Sequence, residues 1–255
     1  MSLTILGADG PGVASAARDH YDLQWNPLTG CTRISPGCEH CTAEAHAAAN
    51  PESFPGLATG GRARPRWTGR VTFHPDKLAA PTKWTPGTIA SVCFLSDLFH
   101  EDVPYDVISE IMGATRTAPT CTFQVLTKRQ ERAREWWDLH GPFPDNVWLG
   151  VTIEHADYLW RAEQICSIPA ALHWISVEPM LGPVTLPSDL LGKTDGIDWV
   201  VAGPELGPGR RPCEATWMRA LRDQCAHAGV PFFTKHLIDG QPHRGMPLSV
   251  AHSTV

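Results

Sequence analysis

Three cysteines stand close together early in the chain, in the run Trp25-Asn-Pro-Leu-Thr-Gly-Cys31-Thr-Arg-Ile-Ser-Pro-Gly-Cys38-Glu-His-Cys41. Their spacing, C-x6-C-x2-C, falls in a loop rich in Gly and Pro, and a helix-forming run, Ala43-Glu-Ala-His-Ala-Ala-Ala49, follows it. Thiolates are soft ligands suited to iron–sulfur clusters or zinc. With no obvious fourth cysteine beside them, Cys31, Cys38 and Cys41 would hold a [4Fe–4S] cluster and leave one iron open to an external ligand. His46 offers a competing Cys3His zinc set, which would make the chain a zinc-stabilised nucleic-acid-binding module. A cluster serving electron transfer alone is the third reading. Cys93, Cys121, Cys166, Cys213 and Cys225 fall in apolar strands or helix faces, or stand alone, and read as buried small hydrophobes.

Other reactive side chains recur at regular places. Ser96-Asp97, Lys128-Arg129, Glu154, Glu178, Glu205 and Lys235-His236 each close a strand-like run. In (β/α) barrels the active site is built at those strand ends, so these residues are expected to ring one mouth. A second group is Gly60-Gly-Arg-Ala-Arg-Pro-Arg-Trp-Thr-Gly-Arg70. Arginines around an aromatic can grip phosphates and stack a base, so Arg62, Arg64, Arg66 and Arg70 are candidates for nucleic-acid contact. A solvated basic loop is the plainer reading.

The elements that must position these groups alternate. Strand-like runs lie near 21–25, 71–74, 89–96, 121–127, 146–153, 172–178, 197–203 and 230–235. Helical patterns between them place Val107, Ile108, Ile111 and Met112 on one face, and Trp217, Met218, Leu221 and Cys225 on another. The expectation is an α/β fold, a (β/α) barrel closed or nearly closed, over residues 21–240. Residues 1–20 read as a flexible arm and 241–255 as a tail.

Bulk composition narrows the class. Hydrophobic residues make up 42% and charged residues 19%, a globular balance rather than a disordered one. The formal net charge of −6 argues against a generic nucleic-acid coat but leaves room for a local basic patch. Met1–Asp19 lacks a signal-peptide pattern, and no window approaches the ~18 apolar residues of a membrane span. The reading is a cytoplasmic chain with no membrane contact, a setting in which clustered cysteines ligate metals rather than pair.

Larger blocks carry a family likeness. The cysteine run through Cys41-Thr-Ala-Glu44 is joined by Ser96-Asp-Leu-Phe-His-Glu-Asp-Val-Pro104, Thr122-Phe-Gln-Val-Leu-Thr-Lys-Arg129, Asn146-Val-Trp-Leu-Gly-Val151, Ser176-Val-Glu-Pro-Met-Leu-Gly-Pro183 and Gly229-Val-Pro-Phe-Phe-Thr-Lys235. Together they resemble a phage-associated three-cysteine-motif family, itself similar to radical S-adenosylmethionine (SAM) proteins. Thr42 stands where that family usually has an aromatic, and Ala202-Gly-Pro-Glu-Leu-Gly207 replaces a Gly-Gly-Glu-Ser-Gly-like segment. The resemblance implies a radical SAM enzyme in which the cluster cleaves SAM and hydrogen is abstracted from a substrate, a nucleotide or nucleic acid among the candidates. It implies an electron donor such as flavodoxin or ferredoxin. On this reading His40, Ser96, Asp97, Lys128 and Glu154 are expected at SAM, and Glu178, Glu205 and Lys235 at substrate or in acid–base roles.

Overall fold

The computed structural model describes residues 19–238 and 241–247. In chain order its regular elements are β1 (Leu23–Trp25), β2 (Leu28–Thr29), α1 (Thr42–Ala49), β3 (Ala58–Thr59), β4 (Arg66–Trp67), β5 (Thr72–Phe73), β6 (Ile89–Val92), α2 (Tyr105–Arg116), β7 (Thr122–Thr127), α3 (Gln130–His140), β8 (Val147–Thr152), α4 (Trp160–Cys166), β9 (Leu172–Val177), β10 (Trp199–Ala202), α5 (Ala215–Ala228), β11 (Phe232–Ile238) and β12 (Gln241–Arg244).

One sheet organises the molecule, in the order β1-β6-β7-β8-β9-β10-β11-β12. Every neighbouring pair from β1 to β11 is parallel, and β12 returns antiparallel on β11. Both faces are apolar, as a parallel sheet covered on both sides requires. Val125, Leu149, Val151, Ile175 and Val200 face the large core that also takes in Ile108, Ile111, Met112, Leu221 and Cys225 from the helices. The alternate residues Trp148, Trp174, Trp199, Val201 and Phe233 build a second core on the other face. Gly150 lets these rings pack, because a Cβ there would overlap the Trp174 indole. α5 ends at Gly229, which takes the left-handed conformation at φ 71°.

The α/β expectation holds, but in place of the expected (β/α) barrel, closed or nearly closed, the sheet is an open, curled half-barrel. Among the described residues β1 pairs with β6 but with no strand at the far end, where β12 occupies the free edge of β11. The strand expected at 71–74 does not join this sheet. It shrinks to the two residues of β5, paired with β2 in a separate ribbon (Leu28 opposite Phe73). No α-helix links β9 to β10 either.

The domain limits also shift. Of the expected arm, residues 1–18 lie outside the described residues, but His20 is buried and bonds Gln124 Oε1 through Nδ1 at 2.8 Å. Gln241–Arg244 of the expected tail is the edge strand β12, and 248–255 lies outside the described residues. Cys93, Cys121, Cys166 and Cys225 are buried as expected, while Cys213 is half-buried. No helix among the described residues is long and apolar enough to cross a membrane.

Candidate functional site

The cysteine loop leaves the top of β1 and lies across the C-terminal ends of the neighbouring strands, tied to each by side chains. After β6, Ser96 Oγ donates to Gly30 O at 2.6 Å, and a parallel bridge links the same two residues. After β7, Arg129 is a hub. Its guanidinium reaches Asp97 Oδ2 at 3.0 Å, Glu101 Oε2 at 2.6 Å, Thr32 Oγ1 at 2.6 Å and the Cys31 sulfur at 3.9 Å. Asp97 also accepts from Thr127 Oγ1 at 2.7 Å and from the Phe99 and Lys128 amides. After β8, Glu154 is wholly buried and touches the loop at Gly37, where a Cβ would lie 3.1 Å from its carboxyl carbon. After β10, Glu205 accepts from His40 Nδ1 at 2.8 Å and from the Arg211 amide at 2.8 Å, and it pairs with the Arg211 guanidinium. Arg211 in turn grips Pro36 O at 2.8 Å and Glu39 Oε2 at 3.2 Å.

Electrostatics differ among the three thiols. Burial pushes Cys31 up to about 12, with Asp97 adding to the rise and Arg129 opposing it. Burial also raises Cys41. At Cys38 burial is outweighed by the Lys128 charge and by hydrogen bonds from the Ile34 and Ser35 amides and the Ser35 hydroxyl, so its thiol is lowered. Lys128 has no hydrogen-bond or ion-pair partner for its ammonium among the described residues, and its charge acts on both Cys38 and Cys41.

Glu154 holds the most telling atom. Its Oε2 pairs with Arg161 Nη1 at 2.9 Å, and both residues are buried. Its Oε1 is buried with no hydrogen-bond partner among the described residues. A buried carboxylate oxygen left unpaired is costly and is normally satisfied by a donor.

The model that matches residues 16–244 is described as a protein of unknown function, DUF5131. The chain belongs to the DUF5131 family. No curated protein and no solved structure matches it.

In this DUF5131 chain five expected site residues meet the cysteine loop: Ser96, Asp97, Lys128, Glu154 and Glu205, with His40 on the loop itself. Two take other company. Lys235 Nζ pairs with Asp19 Oδ1 at 2.8 Å and sits 5.7 Å from the Tyr21 ring centre. Burial works against its charge, but Glu178, Tyr21 and Asp19 more than compensate and raise it. Glu178 lies against Gly203, whose Cβ would stand 2.8 Å from Oε1. This pair belongs to the sheet's concave face and shares no described contact with the loop. His40 faces Glu205, and every oxygen of Asp97 and Glu205 is engaged by the protein. Three of these side chains therefore brace the loop. His46, the fourth ligand of the zinc reading, is engaged by Asn50 (3.4 Å) and by the Phe54 ring (5.2 Å between centres).

Arg129, Arg161 and Arg211 complete the site; the sequence placed Arg129 at the expected mouth, but gave Arg161 and Arg211 no role. Their partners lie on other elements, so no local spacing signals them. Among the described residues no group of three or more His, Cys, Asp or Glu converges on a point fit for a single metal ion. That condition governs zinc, whose ligands share one centre. Cluster cysteines bond separate irons and need not converge. The chemistry of the set, three thiols with the Arg129 guanidinium 3.9 Å from the Cys31 sulfur and the Lys128 charge acting on Cys38 and Cys41, suits an anionic cluster.

Proposed function

We propose that this chain is a radical SAM-type enzyme, with Cys31, Cys38 and Cys41 as the protein ligands of a [4Fe–4S] cluster. The observation that carries the reading is the unpartnered, buried Glu154 Oε1 beside the cysteine loop, with the free ammonium of Lys128 close by. A ligand bearing both an amine or hydroxyl and a carboxylate, as SAM does, satisfies both groups. Held by Cys31, Cys38 and Cys41, the cluster would supply one-electron reductive cleavage of SAM, the chemistry that starts hydrogen abstraction from substrate.

The chain's own residues perform the rest. Arg129 donates to the Cys31 sulfur and ties Thr32 to Asp97, which fixes the loop's first limb. Arg211 and Glu205 hold the second limb through Pro36, Glu39 and His40. Glu154, held in place by its pair with Arg161, accepts from the ligand, and Lys128 balances negative charge at the sulfurs. The Trp148–Trp174–Trp199 core below the mouth keeps water from the interior of the curl. Glu178, at the end of β9, and Lys235, in β11, are the proposed substrate-side residues. A cytoplasmic setting and a flavodoxin- or ferredoxin-class electron donor go with this chemistry.

Electron paramagnetic resonance of anaerobically reconstituted, dithionite-reduced protein tests the reading. A [4Fe–4S] signal that shifts on adding SAM and vanishes in the C31A/C38A/C41A variant supports it. A colourless protein retaining one zinc, or a cluster signal indifferent to SAM, ends it.

A further inference from the structure

The excursion between α1 and β5 holds a charge distribution found nowhere else in the described chain. Arg62, Arg64, Arg66 and Arg70 are all exposed, and none has a carboxylate partner among the described residues. Arg33, Arg129, Arg161 and Arg211, by contrast, each face an acid. In a chain of net charge −6, four uncompensated arginines within nine positions form a local field that the rest of the protein does not cancel.

The excursion is also fixed in place. β3 and β4 pair antiparallel, with Ala58 opposite Trp67. The Trp67 amide donates to the buried Glu44 at 2.6 Å, and Arg33 pairs with Glu44 and reaches Pro65 O at 3.1 Å. The Arg70 carbonyl packs on Gly30, directly before Cys31, at a spot where any Cβ would overlap it. Between the ribbon and the cysteine loop lies a cavity of about 250 Å³, bounded by Thr32, Arg33, Glu44, Arg66 and Trp67. Trp67 is half-buried and forms one wall. Arg66 and Trp67 thus border a recess that Thr32, the residue after Cys31, closes on the other side.

We infer that this ribbon is a binding face for single-stranded nucleic acid, its four arginines on successive phosphates and Trp67 stacked on a base. The inference deepens the proposed enzyme by naming its substrate class, and it rests on that reading only for what happens to the bound strand. A single strand suits the geometry better than a duplex. Stacking on Trp67 needs an unpaired base face, and two-residue strands are too short to enter a major groove as a reading ribbon.

Fluorescence anisotropy with a 5′-labelled, mixed-sequence single-stranded DNA tests it on the full chain, both cluster-free and reconstituted. The expected result is binding that weakens steeply with salt. The R62A/R64A/R66A/R70A variant should bind more weakly, with a log–log salt slope shallower by about 3, from ~0.7 per lost phosphate contact. W67A should weaken binding about tenfold with the slope unchanged, from the usual worth of one base–aromatic stack. R62E/R64E, confined to the exposed turn, should lose affinity in the same sense and guards against misfolding of the fourfold variant. Three results would each overturn the inference: no binding at about 50 mM salt, where phosphate contacts are strong; wild-type binding by both arginine variants; or duplex bound as tightly as the single strand. Because the cluster-free protein is assayed too, failure of the radical reading leaves this result intact, and the reverse also holds.

Discussion

A single atom, Glu154 Oε1, separates a site awaiting a ligand from a merely braced loop. Arg161 satisfies one oxygen of that carboxylate and nothing described satisfies the other. E154Q keeps the shape but removes the charge that strengthens a ligand hydrogen bond. SAM affinity of the reconstituted protein should fall at least tenfold by calorimetric titration, since a charge-assisted bond contributes roughly 1.5–3 kcal/mol. Glu205 behaves differently. Burial would raise its carboxyl, but hydrogen bonds from Arg211 and His40 override that and hold it at about 2. A carboxylate lowered on folding stabilises the native state above its ordinary value near 4.5 and loses that contribution as pH falls toward 2. Wild type should therefore melt above E205Q at pH 5.5, and the gap should narrow as thermal melts are taken down through pH 4 to 3. At this scale the sequence was legible only where chemistry is local. Three cysteines within eleven positions declare themselves. The Asp97–Arg129 pair, 32 positions apart, and the Glu205–Arg211–Pro36 tie do not, because only the folded sheet brings their elements together.

Among elements, the cysteine loop is held by contacts rather than by a ladder of its own. Its hinge to the arginine ribbon is Gly30, at φ +93° and packed under the Arg70 carbonyl. G30A combines an unfavourable backbone region, worth about 1–3 kcal/mol, with direct overlap. Its melting temperature should drop by several degrees, with greater protease sensitivity between residues 57 and 70. Periodicity predicted most strands well, since β6 to β10 are near-continuous apolar runs flanked by turns. It failed at β5, where Val71–Phe73 has strand chemistry but pairs with a two-residue partner and is never admitted to the main sheet. The path from β9 to β10 failed too, because a count of repeating units assumes a helix that this connection lacks.

Over the whole molecule, alternation of strands and helices correctly implied a parallel sheet, but it carries no information about closure. Closure depends on strand tilt and on which strand takes the last free edge, and here β12 takes it. Among the described residues the sheet therefore has two edges, β1 and β12, each bonded on one side. Native-state hydrogen exchange should find the slowest amides in β7, β8 and β9, with β1 and β12 exchanging through local opening. Uniform protection around all eight strands would mean that the curl closes in solution.

The tryptophans packed inside the curl give this protein an optical consequence. Trp199 lies in ring contact with both Trp148 and Trp174, at 5.9 and 5.3 Å between centres, so excitation can pass among the three. A chain of this length has a radius of gyration of about 18 Å, which places any visible-absorbing chromophore in the thiol loop within energy-transfer range of all of them. Indole emission should accordingly dim in proportion to iron–sulfur loading and recover on chelation. On the proposed reading the fold would carry its own gauge of occupancy, readable in a cuvette without a label.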